Sequence, residues 1–105
     1  MRMITVTQAD IDEATTRCFK QNMNVCRNCV IAVAVARTLP EGSLVFTGGG
    51  STEIDVPNKP TEIWVHGKAM RQLINDFDGQ KPVQPGDYPM YPNYEELVKS
   101  DLERS

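Results

Sequence analysis

The 105-residue sequence predicts a small α+β single domain: an antiparallel β-meander packed with two to three helices, then a C-terminal Pro/Tyr-rich arm and a short helix. Three observations carry that expectation. Residues 43–47, 52–56 and 62–66 are short, β-prone segments separated by Gly- and Pro-containing turns. Met70, Leu73, Ile74 and Phe77 recur at i, i+3, i+4 and i+7, the stripe of an amphipathic helix. The length allows one modest core and no second one.

Taken in order, residues 3–6 alternate as a short strand, and Thr7 with Asp10 three residues later makes a helix start. A helix over 8–21 then turns Ile11, Ala14, Cys18 and Phe19 to one face, until the polar run Gln21-Asn22-Met23-Asn24 ends it. Residues 29–39 are almost wholly apolar. Their valines would suit a strand, but Asn28 as a cap and the terminator Arg37-Thr38-Leu39-Pro40-Glu41-Gly42 favour a helix. A helix apolar on every side must be buried on every side, so part of it is expected to face another copy in a homo-oligomer. In the strands, Glu53/Ile54/Asp55/Val56 and Glu62/Ile63/Trp64/Val65 alternate, giving the sheet one wet and one packed face. A helix over 67–78 follows, with Gly79 at its C′ position.

Beyond Gly79 the character changes. Prolines 82, 85, 89 and 92, with Tyr88 and Tyr91, predict an extended path without regular hydrogen bonding. Asn93-Tyr94-Glu95-Glu96 then resembles a capping box before Leu97, Val98 and Leu102. The expected organisation is a core over 1–79, with 80–105 packing on it or on a neighbouring subunit.

Composition excludes more than it assigns. The chain is 40% hydrophobic and 24% charged, with a net charge of -3 and a pI near 5.0. A general nucleic-acid or anionic-membrane binder would need a basic face. No run approaches the roughly 18 apolar residues of a membrane span, and the opening Met-Arg-Met-Ile-Thr has no apolar signal stretch. The charge is uneven: residues 1–40 hold five basic and three acidic side chains, residues 41–105 six and eleven. Three cysteines, an odd number, point to reduced thiols and a cytoplasmic location.

Four groups of residues could carry chemistry. Cys26-Arg27-Asn28-Cys29 has metal-ligand spacing, and with Cys18 and His66 a zinc site can be written, though the second pair of a ribbon is missing. The bland reading is cysteines filling apolar gaps; a redox reading needs the helix start to lower the Cys29 thiol. Gly48, Gly49, Gly50 and Ser51 have the makings of an anion-binding nest, or of a plain hairpin turn. His66, Lys68 and Arg71 span a strand-to-helix junction suited to phosphate, with Trp64 placed to stack a base; the alternative is a solvated helix start. Tyr88, Tyr91 and Tyr94 would form a lid or, more simply, anchor the arm. No nucleophile–base–acid set emerges, so no enzyme and no cofactor are expected.

Three blocks carry a family resemblance: Ile4-Thr5-Val6-Thr7; Cys26-x-x-Cys29 leading into Val30-Ile31-Ala32-Val33-Ala34-Val35; and Phe77-Asp78-Gly79-Gln80-Lys81-Pro82-Val83-Gln84-Pro85. In this order the chain resembles small, mostly uncharacterised proteins encoded by bacteriophages and some bacteria. That resemblance implies a viral protein acting by binding in the host cytoplasm. One form of it is a sponge for the cyclic nucleotide signals of antiphage defence. Arg27, Gly48, Gly49, Gly50, Ser51, Trp64, His66, Lys68 and Arg71 are the residues expected to hold such an anion. The alternatives are an inhibitor or host-takeover factor aimed at a protein, and a zinc-stabilised adaptor.

Overall fold

The computed structural model describes residues 1–104, with the backbone alone for Val25, Cys26 and residues 101–104. Along the chain run β1 (Arg2–Val6), α1 (Gln8–Thr15) continued by a π-helical turn (Thr16–Lys20), α2 (Val25–Asn28) and α3 (Val30–Ala36). Then follow β2 (Leu44–Thr47), β3 (Ser51–Asp55), β4 (Glu62–His66), α4 (Lys68–Asp78), β5 (Gly86–Tyr91) and α5 (Tyr94–Arg104). The strands form one antiparallel sheet of order β1-β5-β4-β3-β2. The α+β class and the meander β2-β3-β4 are as the sequence predicts. Among the described residues no helix is long and apolar enough to cross a membrane.

Local side-chain chemistry starts α1. The Thr7 hydroxyl accepts the Asp10 N–H at 3.1 Å, and the Asp10 carboxylate accepts the Thr7 N–H at 2.9 Å, closing a capping box. The same carboxylate receives both Nε and Nη2 of Arg37, at 3.0 and 2.9 Å, and Arg37 also donates to the Thr5 carbonyl at 3.1 Å. One buried acid therefore joins the end of β1, the start of α1 and the end of α3. Burial would push its carboxyl up; the Arg37 guanidinium and the Thr7 donors hold it below its ordinary value instead.

The sheet curls round α3, which packs against both edge strands, β1 and β2, as well as α1. Residues 30–35 are each at most 5% exposed within the single chain. The expectation that part of this helix faces another copy is corrected: the fold covers the helix by itself. Asn28 does not cap it either. Cys29 is the N-cap, and the Asn28 side chain instead donates to the Asn24 carbonyl at 2.8 Å and accepts from Arg17.

The segment expected as an arm without regular hydrogen bonding is also corrected, because β5 is an inner strand between β1 and β4. Pro89 has no N–H for a ladder. Its carbonyl accepts the Gly67 N–H at 3.2 Å, on the side where β4 has ended and α4 begins, so the missing donor falls beyond the β4 ladder. A Cβ on Gly67 would lie 3.0 Å from the Tyr91 ring and 3.1 Å from the Pro89 carbonyl, so this crossing needs glycine. At the end of α4 the left-handed residue is Gln80 (φ 56°), not Gly79. Asn93 does cap α5, accepting the Glu96 N–H at 2.9 Å, and Leu97 is buried while Val98 is exposed. The expected apolar role of the Leu102 side chain lies outside the described residues.

Because the folded Asp10 carboxyl titrates below its ordinary 3.8, its stabilising effect is complete above that pH and is lost as pH falls through the folded value. Asp10→Asn is expected to lower Tm at neutral pH by roughly 5 °C, about one kcal/mol for a domain of this size. Thermal melts should show the gap to the native chain closing below pH 4.

Candidate functional site

The inner face of the sheet, set by strand alternation and register, places Thr47, Thr52 and His66 side by side beneath the helices. His66 is fully buried. Its Nδ1 lies 3.3 Å from the Gly49 carbonyl, which can only accept, so Nδ1 carries the proton. Nε2 then accepts the Thr52 hydroxyl at 2.6 Å, and the Thr52 oxygen accepts from Thr47 at 3.2 Å. The His66 N–H also donates to the Gly50 carbonyl at 2.9 Å. Burial, aided by the Arg71 charge, pushes the imidazole below its ordinary value, outweighing the Gly49 bond that raises it. His66 is thus a neutral clasp that ties the glycine loop to the sheet.

This arrangement changes the expected anion site. Gly48, Gly49 and Gly50 have no positive φ, which a nest requires; the Gly48 N–H donates to the Ser51 carbonyl, and two loop carbonyls turn toward His66. Trp64 faces inward against the core, with the Arg2 guanidinium 5.7 Å from its ring centroid. Its indole N–H is buried and has no hydrogen-bond partner among the described residues. The ring is therefore not an open platform for a base. Arg27 lies on α2, which packs against β2. What stays exposed is Lys68 and Arg71 on the first turns of α4, neither in an ion pair among the described residues. The structure brings together the loop, His66 and Arg71, and leaves Trp64 out.

The thiols are also internal. Cys18 is buried and donates to the Asn28 carbonyl at 3.2 Å; Cys29 is buried and pushed up to about 11 by loss of solvent. A helix start that lowers Cys29, as the redox reading needs, is not what this environment gives. The Cys26 side chain lies outside the described residues. Among the described residues no three His, Cys, Asp or Glu side chains converge. Two tyrosines act as anchors, Tyr88 donating to the Gln84 carbonyl at 2.6 Å and Tyr91 paired with Ser100 at 2.9 Å.

Two surfaces escaped the sequence reading. On the outer sheet face α5 packs against β5 and β4, leaving Leu44, Phe46 and Ile63 exposed by 53, 45 and 59%. Glu53 stands in register between Phe46 and Ile63, and Asp55 opposite Leu44. No strand position on this face is basic. The signal was present in the alternation, since β2 turns Val45 and Thr47 inward and its two largest residues outward. The second surface is a cleft of about 390 Å³ between α1, the π-helical turn and the segment after α4. Phe19 and Phe77, far apart in the sequence, meet there with centroids 5.2 Å apart.

Comparison of the chain with protein-family models, with curated proteins and with solved structures gave no match.

With His66 depressed in the folded state, its contribution is complete above the ordinary 6.5 and is lost as pH falls through the folded value. Urea midpoints should therefore decline below pH 6.5. In His66→Gln, an amide that does not titrate, the midpoint should be lower at neutral pH and that part of the decline should vanish.

Proposed function

We infer that this chain is a non-enzymatic binding protein whose outer sheet face docks a basic segment of another protein. The observation that carries this reading is the exposed trio Leu44, Phe46 and Ile63, interleaved with Glu53 and Asp55 and with no cation on the strand positions around it. Exposed apolar side chains gathered on one surface mark interaction sites more often than scattered ones do. A partner strand or helix carrying Lys or Arg could lay its apolar stems on Phe46 and Ile63 while its charged ends reach Glu53 and Asp55. Together with the resemblance to phage-encoded proteins, this favours an inhibitor or host-directed factor. Self-association, expected from the sequence, would have to use a surface other than α3, which is covered within one chain.

A second reading keeps a small anion, a cyclic nucleotide being the form the resemblance suggests. It rests on Lys68 and Arg71, exposed at the start of an eleven-residue helix and without an ion pair among the described residues.

The two are separated with defined probes. A synthetic peptide alternating Lys with Leu should bind, weaken with salt, and lose about tenfold in affinity in Phe46→Ser and about threefold in Glu53→Gln. Affinity unchanged in both variants would remove the docking reading. Cyclic di- and trinucleotides that raise Tm in the native chain, but not in Arg71→Gln, would establish the second reading in its place.

A further inference from the structure

We propose that the cleft beside the π-helical turn is a binding site for a small molecule with a flat apolar body and an anionic group. Its volume, about 390 Å³, is that of a small-ligand site rather than a packing defect. The floor is aromatic and aliphatic: Phe19 and Phe77 meet at 45°, with Ile11 beside them and Val83 forming the far wall. The rim is polar and already held in place. Gln80 adopts a left-handed backbone and donates to the Phe77 carbonyl at 3.0 Å, and the Lys81 N–H donates to the Asp76 carbonyl at 2.8 Å. These bonds fold the segment back over the end of α4 and fix Lys81 at the mouth.

Lys81 makes no ion pair among the described residues. Of the acids on the flanking helices, Asp12 accepts from Gln8 and Asp76 from Gln72, both at 3.0 Å, while the Asp78 carboxyl is pushed up by loss of solvent. An ammonium among the residues lining an aromatic cleft favours a ligand that is apolar in its body and negative at one end. The π-helical turn, in which the Gln21 N–H reaches the Thr16 carbonyl at 2.9 Å, supplies Phe19 to this wall; such turns recur at ligand sites. The cleft is formed by helices and the segment after α4, on elements separate from the outer-face trio, so this proposal stands apart from the docking reading.

Two fluorescent probes test it: 8-anilinonaphthalene-1-sulfonate and its uncharged relative N-phenyl-1-naphthylamine. Both should bind the native chain with one-to-one stoichiometry. Lys81→Gln should weaken the sulfonate by about threefold to fivefold and leave the neutral probe unchanged. Val83→Trp and Thr15→Phe, which fill the cleft from opposite walls, should each abolish both signals with the circular dichroism spectrum retained. Phe46→Ser should leave both probes bound. Loss of signal in Phe46→Ser, survival of signal in a folded filling variant, or an equal response of the two probes to Lys81→Gln would overturn the proposal.

Discussion

The fold is organised by one obligation: a seven-residue helix that is apolar all round must be kept dry on every side. α3 offers water no polar face, and each large buried side chain such as Ile31 or Val35 is worth about 1.5–3 kcal/mol only if it is fully covered. One chain of this length can do so only by wrapping. Both edge strands, β1 and β2, reach α3 because the sheet curls, and the sheet is wide enough to curl because β5 fills its middle. The strand that closes the gap comes from the proline-rich stretch, late in the chain. The wrap is pinned where β1, α1 and α3 meet, by the Asp10 carboxylate and Arg37.

This use of the interior decides what is left for function. On the inner face His66, Thr52 and Thr47 satisfy one another and hold the glycine loop, and the thiols of Cys18 and Cys29 lie among apolar side chains. Recognition is left to the outside. The sheet's far face carries apolar and acidic residues in register, and the helical side carries a cleft with an ammonium at its mouth. These surfaces differ in shape as well as chemistry, one the outer side of a curled sheet and one concave, which is why a macromolecular partner suits the first and a small molecule the second.

Much of the fold was legible because its signals are local. Thr7 and Asp10, the strand alternation and the Met70–Phe77 stripe each act within a few residues, and each appears where the sequence places it. The failures were non-local. Pro89 reads as a strand breaker until its carbonyl is seen to face the start of α4, a pairing set by β4 some twenty residues earlier. Residues 30–35 read as too greasy for one chain because the curl that covers them depends on strands from both ends of the sequence. The candidate site was legible only in part: His66 and the glycines are indeed neighbours, but which way the loop carbonyls point cannot be read from glycine content. The exposed Phe46 and Ile63 could have been found by following strand phase, whereas the cleft needed the meeting of Phe19 with Phe77.

Hydrogen exchange at residues 33–36, the hydrogen-bonded amides of α3, measured at two protein concentrations a hundredfold apart, tests the central claim most directly. The account predicts that these amides are among the slowest in the chain, opening only with global unfolding, and that their protection is the same at both concentrations. Protection that falls on dilution would show that a second copy, not the curled sheet, keeps α3 dry, and would contradict the account.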